Sequence, residues 1–86
     1  MKCLIVDDEP LVLQDIHRTA QKVMGEDTEF FLAGNPTEAM KIVEDISSKP
    51  EEILEIAIID IELPYSNGID LAKRIQKYIQ ESIWSW

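Results

Sequence analysis

The chain has 86 residues, a length that allows one small domain and excludes a second. Its 17 acidic residues outnumber its 8 basic residues, and the formal net charge at pH 7 is −9. Because nothing in that balance offsets the repulsion of phosphate groups, direct binding of nucleic acid is not expected. Cations and basic protein surfaces are the natural partners of such a chain.

The single cysteine, Cys3, lies in the apolar run CLIV, which favours a buried strand residue over a redox or metal role. No apolar run approaches the ~18 residues of a membrane span, and no basic segment precedes an apolar one as in a signal peptide. We therefore expect a cytoplasmic protein without a membrane partner.

The first half of the chain predicts two strand–helix pairs. Residues 2–6 form a short, almost continuous apolar run, which is typical of a parallel strand covered on both faces. Pro10 suits the first turn of a helix, whose apolar residues recur at three- and four-residue spacing until a glycine. The β-prone residues 29–33 follow, and Asn35 can cap a second helix that has Pro36 at its first position.

The second half predicts a third pair. Residues 56–61 favour a strand, and Pro64 with the Asn67-Gly68 pair predicts the turn after it. Apolar residues lie on one helical face from Ile69 to Ile83, so we expect a third helix that runs almost to the C-terminus. The alternation of strands and helices predicts an α/β layer fold with a parallel sheet and right-handed crossovers.

Three aspartates lie where the predicted strands end: Asp7 and Asp8 after the first strand, and Asp60 in the third. Ligands of parallel α/β sheets bind at the carboxyl ends of the strands. Carboxylates grouped there repel one another unless a cation lies among them, and Mg²⁺ suits a sparse set of oxygen ligands completed by phosphate oxygens. A carboxylate beside such an ion can also attack phosphorus as a nucleophile.

A purely structural interpretation of the same aspartates stays open. Asp7 and Asp8 precede a helix, whose dipole favours acidic residues at its N-terminus, and Asp60 is a residue type that commonly begins a turn.

Three segments together resemble the first three βα units of a response-regulator receiver domain, the phospho-accepting module of two-component signalling. They are LIVDDEP, NPTEAM and IAIIDIELPYSNGIDLAKRI. The resemblance extends from Met1 to about Lys77. It implies a flavodoxin-like doubly wound parallel sheet that is incomplete, with residues 1–86 as the N-terminal part of the domain and the last two units missing. It also implies Mg²⁺ as cofactor and a sensor histidine kinase as partner.

The resemblance further implies a role for individual residues. Asp60 would accept the phosphoryl group, and Asp8 and Asp60 would bind Mg²⁺. Asp7 would hold the ion partly through water, and the backbone carbonyl of Glu62 would be a further ligand. The chain would then be a phospho-acceptor and not an enzyme.

Residues 78–86 predict an atypical tail in place of the family's fourth strand. In the family that strand ends in a Ser or Thr that hydrogen-bonds the phosphoryl group, and the fifth ends in a Lys that pairs with it. Without them, phosphorylation of Asp60 would be impaired. The third strand would also be an open edge, so we expect self-association through it and through Ile83, Trp84 and Trp86. An engineered truncation, a natural truncation and a frameshift are all compatible with this pattern.

Two other functions fit the same residues. The stretch DIE at residues 60–62 loosely resembles the Asp-x-Asp motif of aspartate-nucleophile phosphatases, although that motif usually follows the first strand. Alternatively, the chain is an interaction fragment that binds a partner but does not react. Lasting phosphorylation, turnover of phosphate esters and inert binding distinguish the three functions.

Overall fold

The computed structural model describes residues 1–60 and 68–85, and for residues 79–85 it describes the backbone alone. Strands and helices alternate along these residues. The strands are β1 (Lys2–Val6), β2 (Glu29–Ala33), β3 (Leu54–Asp60) and β4 (Ile79–Ser85). The helices are α1 (Pro10–Met24), α2 (Pro36–Ser47) and α3 (Gly68–Gln76).

The four strands form one parallel sheet in the order β2-β1-β3-β4. The chain therefore winds outward from β1 in one direction to β2 and in the other to β3 and β4. The carboxyl ends of β1 and β3 meet at the point where the strand order reverses, which is where ligands of such sheets bind. The predicted α/β class with parallel pairing is confirmed.

Helices cover the two faces of the sheet unequally. Ala20 of α1 packs with Cys3 and Ile5 of β1 on one face. Buried residues of α2 and α3 pack on the other face against Leu4 and Val6 of β1. Because both faces of β1 are covered, its residues from Cys3 to Val6 are all buried, as the continuous apolar run predicts.

The helix ends also follow the sequence signals. Gly25 has a φ of +85° and ends α1, where its N–H donates to the carbonyl of Gln21 at 3.0 Å. The Asn35 side chain accepts a 2.8 Å hydrogen bond from the N–H of Glu38 at the start of α2. The Glu38 carboxylate in turn accepts one at 2.8 Å from the N–H of Gly34, the residue before the N-cap, so it fixes the chain where it enters α2.

The predictions for the C-terminal segment are wrong in two respects. Helix α3 ends at Gln76 instead of continuing to Ile83, and residues 79–85 form β4. Strand β4 pairs in parallel with β3 from Leu54 opposite Ile79 to Asp60 opposite Ser85. The helical spacing of the isoleucines did not decide the structure, because pairing with β3 satisfies a row of backbone groups that would otherwise remain unpaired.

This pairing corrects two further expectations. Strand β3 is not an open edge, so the basis for predicting self-association through it is lost. The strand also begins at Leu54, two residues before the predicted start. The side chains of Ile83 and Trp84, and the whole of Trp86, lie outside the described parts of the structure.

Candidate metal and phosphoryl-acceptor site

The carboxyl ends of β1 and β3 bring three aspartates together. Asp7 and Asp8 directly follow β1, and Asp60 is the last residue of β3. Val6 pairs with Ile59, so the next residues along the two strands, Asp7 and Asp60, reach the same edge of the sheet. Carboxylate oxygens of Asp7, Asp8 and Asp60 all lie within 4.8 Å of one another.

Asp7 is the buried member of the cluster, with 5% of its surface exposed. Its N–H donates to the carbonyl of Ala33 at 3.1 Å, so the β1–β2 pairing fixes its backbone. Its Oδ1 accepts a 2.9 Å hydrogen bond from the N–H of Glu9. Main-chain groups of Ala33 and Glu9 thus hold both the backbone and the side chain of Asp7 in place.

Burial raises the pKa of Asp7, and the neighbouring charges of Asp60 and Asp8 raise it further. The hydrogen bond from Glu9 acts in the opposite direction and lowers this pKa, but it does not compensate. The charged form of Asp7 is therefore disfavoured beside the other two carboxylates.

The other two carboxylates face solvent to different degrees. Asp60 is half-buried and Asp8 is exposed. Asp60 follows the fully buried Ile59, so the core anchors its backbone while its side chain lies at the rim. The site is therefore closed on the Asp7 side and accessible on the Asp8 side.

This donor set fits Mg²⁺. The ion prefers oxygen ligands, is bound through few carboxylates and keeps several waters, which the open side of the cluster allows. The structure places Asp7, Asp8 and Asp60 together, as expected for residues at the ends of neighbouring strands. Glu62, the fourth predicted ligand, and Pro64 lie outside the described residues. The binding of Mg²⁺ itself stays a prediction.

Sequence reasoning missed Ser85. The chain was expected to lack the fourth strand and its terminal hydroxyl residue, yet β4 exists and its last residue, Ser85, is in register with Asp60. The available signal was the serine close to the C-terminus. The helical spacing of the isoleucines favoured a helix over these residues, so the strand that ends at Ser85 was not predicted.

No protein-family model matches the chain. The chain is 35% identical over 80 residues to the sensory transduction protein LytR of Staphylococcus haemolyticus. The match covers 93% of this chain and 28% of LytR, so the chain spans less than a third of the length of that relative.

Solved structures share the fold. A CheY-like response regulator receiver domain protein from Methanospirillum hungatei is 24% identical, with a TM-score of 0.70 and 61% of its chain covered. The receiver domain of the Francisella response regulator 1452 is 24% identical, with a TM-score of 0.71 and 63% covered. The bacteriophytochrome response regulator AtBRR is 18% identical, with a TM-score of 0.70 and 64% covered. Each match covers 96% of the present chain.

The fold and the acidic cluster define a flavodoxin-like domain with a candidate metal site at the carboxyl edge of its sheet. The solved receiver domains share this fold and LytR is similar in sequence, so the resemblance to response-regulator receiver domains predicted from the sequence is confirmed. The described residues contain no helix that is both long and apolar enough to cross a membrane.

Proposed function

We propose that the chain is a phospho-accepting signalling module, in which Asp60 takes a phosphoryl group from the phosphohistidine of a sensor histidine kinase. The observation that carries this proposal is the convergence of Asp7, Asp8 and Asp60 at the open edge of a receiver fold. Asp7 and Asp8, together with Asp60, would hold Mg²⁺. The bound ion would neutralise charge on the cluster and on the phosphoryl oxygens.

In the proposed step, one carboxylate oxygen of Asp60 forms a bond to phosphorus while the phosphorus–nitrogen bond of phosphohistidine breaks. The imidazole nitrogen keeps the electron pair of that bond, and the product is an acyl phosphate on Asp60. Because β3 holds the Asp60 backbone between two neighbouring strands, the nucleophile is positioned before the donor arrives.

Ser85 extends this proposal. The family's fourth strand ends in a Ser or Thr that hydrogen-bonds the phosphoryl group, and Ser85 ends β4 in register with Asp60. We assign Ser85 that role. We therefore expect the phosphorylation of Asp60 to be less impaired in this chain than in a chain that lacks the fourth strand.

The net charge of the chain and its proposed signalling function also bear on its other partners. A net charge of −9 argues against direct contact with nucleic acid. We place the module in the cytoplasm with its kinase, and we propose that it acts as an acceptor of phosphoryl groups and not as an enzyme on a separate substrate.

The test is intact-mass spectrometry after incubation with Mg²⁺ and a small acyl phosphate, compared with Asp60→Asn. We expect one phosphoryl group on the native chain, none on Asp60→Asn, and an unchanged result for Asp70→Asn, which alters an exposed aspartate of α3. Chelation of Mg²⁺ should abolish the reaction.

Other outcomes would support the alternative functions. Continuous turnover of a phosphate ester with no stable adduct would indicate a phosphatase. No adduct under any condition, from a chain that is folded by circular dichroism, would indicate an interaction fragment and contradict the proposal.

A further inference from the structure

Helix α1 borders an apolar groove that lies outside the acidic cluster and outside the proposed phosphoryl transfer. Among the described helices, only α1 packs on its face of the sheet, since α2 and α3 pack on the other face. The groove has a volume of about 480 Å³ and lies between α1 and Ile58 of β3. Because Ile58 is only half-buried, part of its apolar surface is open to contact from this side.

Six residues of α1 line the groove in two rows with four-residue spacing, which places each row on one side of the helix. The inner row packs towards the sheet and consists of Ile16, Ala20 and Met24. The outer row is exposed and consists of Asp15, Thr19 and Val23. Each row has a smaller residue in its middle, and Val23 stands at one end with 81% of its surface exposed. The same surface therefore offers both a hollow and a protruding apolar side chain.

The charges on α1 differ from those of the chain as a whole. The net charge of −9 opposes the approach of any acidic partner, a second copy included, but α1 carries one acidic and two basic residues: Asp15, Arg18 and Lys22. Asp15 lies 3.6 Å from Arg18, and Lys22 forms no ion pair among the residues that the structure describes. Acidic residues flank the helix at both ends, so the region that favours contact is its middle. Charges more than about 8 Å away are largely screened at physiological ionic strength.

We propose that a second copy of the chain docks on this groove, with the two α1 helices antiparallel across a two-fold axis at Thr19. In such an interface both copies contribute the same surface, which must fit itself. The axis places Asp15, four residues before Thr19, opposite Val23 of the other copy and next to its Lys22. Two reciprocal Asp15–Lys22 pairs form, and Val23 of each copy enters the groove of the other. The smaller residues in the middle of each row allow the two helices to approach closely.

The first test is sedimentation equilibrium of the whole chain from micromolar to millimolar concentration at physiological ionic strength. We expect a reversible monomer–dimer equilibrium, with concentration-dependent amide shifts confined to α1 and Ile58 in the ¹⁵N-labelled chain. Val23→Ala should weaken the dimer by about ten- to a hundredfold, because it removes apolar contact from both copies. Ile53→Ala is the matched control and should leave the equilibrium unchanged, because Ile53 is an exposed aliphatic residue outside the groove, near α2.

A second test reverses charges and addresses the antiparallel arrangement. Asp15→Lys and Lys22→Glu each replace both reciprocal pairs with pairs of like charge. Because exposed pairs are worth about two- to fivefold in affinity each, either variant alone should dimerise about four- to twenty-five-fold more weakly, or weaker still. An equal mixture of the two variants should form a heterodimer of native strength, because both contacts then join opposite charges. Such recovery would also show that the two variants are folded.

Several results would overturn the proposal. One is a chain that stays monomeric up to millimolar concentration, and another is an equal loss of association in Val23→Ala and Ile53→Ala. Amide shifts at β4 instead of α1 would indicate pairing through the edge strand of the sheet and contradict docking on the groove. A mixture of the charge-reversed variants that associates no better than either variant alone would contradict the two-fold arrangement.

Discussion

Ser85, the last residue of β4, is the register partner of Asp60, the last residue of β3. The pairing places a hydroxyl residue and a candidate nucleophile at the ends of two neighbouring strands. It also joins to the sheet a segment whose apolar spacing suggests a helix. This relationship gives the acidic cluster a neighbour on the β4 side.

The first prediction concerns this serine. A hydrogen bond to a charged phosphoryl group is worth about 1.5–3 kcal/mol, which corresponds to roughly ten- to a hundred-fold in rate or equilibrium. We therefore expect Ser85→Ala to lower the level of phosphorylated Asp60 by about that factor, as measured by intact-mass spectrometry over time. Ser82→Ala is the control, because Ser82 lies in the same strand but pairs with Ala57 away from the site. Similar losses in both variants would show that β4 matters only for folding.

The second prediction concerns Mg²⁺ binding. Removing one of three carboxylates deletes a charged contact, so Asp8→Ala should weaken Mg²⁺ binding by roughly tenfold or more. Titration of Mg²⁺ against the amide shifts of Asp7 and Glu9 measures the affinity. Asp15→Ala should leave it unchanged, because Asp15 is an exposed residue of α1 whose carboxylate pairs with Arg18 at 3.6 Å. An unaltered affinity in Asp8→Ala would remove Asp8 from the ligand set.

The third prediction concerns the stability that the folded chain loses because the carboxylate of Asp7 is buried. The pKa of Asp7 is raised by burial and by Asp60 and Asp8, so its charged form is disfavoured in the folded metal-free chain. The folded state then binds the proton more tightly than the unfolded state. This contribution lowers stability as the pH rises from the ordinary aspartate range through the raised pKa, and the penalty persists at neutral pH.

Asp7→Asn should therefore stabilise the metal-free chain at pH 7, by on the order of 1 kcal/mol or about 4–8 °C in Tm. The asparagine keeps an oxygen that can accept the hydrogen bond from Glu9. Thermal unfolding with and without Mg²⁺ checks both consequences: the variant should gain stability without the ion and respond less to it. A metal-free variant less stable than the native chain would contradict the prediction.

The fourth prediction concerns Cys3, which is fully buried in β1. Burial raises the pKa of its thiol to about 11 from 9.0. We expect almost no labelling by a thiol reagent at pH 8 in the folded chain and rapid labelling after denaturation, because the thiolate is the reactive form.

The same pKa shift predicts a loss of stability at alkaline pH. The unfolded thiol ionises above pH 9, whereas the folded thiol keeps its proton until about pH 11, so stability falls as the pH rises through this window. The pH dependence of unfolding should be shallower in Cys3→Ala over the same range. In the labelling experiment, rapid reaction of Cys3 in the native chain at pH 8 would contradict the prediction and show that β1 opens locally.

The sequence by itself determined the first two strand–helix pairs, because their signals are local. Pro10 and Gly25 set the ends of α1, and hydrogen bonds of Asn35 and Glu38 within a few residues fix the start of α2. The continuous apolar run of β1 indicated a strand covered on both faces. The meeting of Asp7, Asp8 and Asp60 also followed from sequence, since parallel strands place their carboxyl ends at one edge.

Only the tertiary structure decided the conformation of the C-terminal segment, because a strand is stabilised by a neighbouring strand that is distant in sequence. Ile79 and Ile83 fit a helical face by spacing, but the free edge of β3 offered backbone partners, and β4 formed there. The unequal environments of Asp7 and Asp8, neighbours in the chain, depend on the sheet and on the Glu9 hydrogen bond, so they too required the fold.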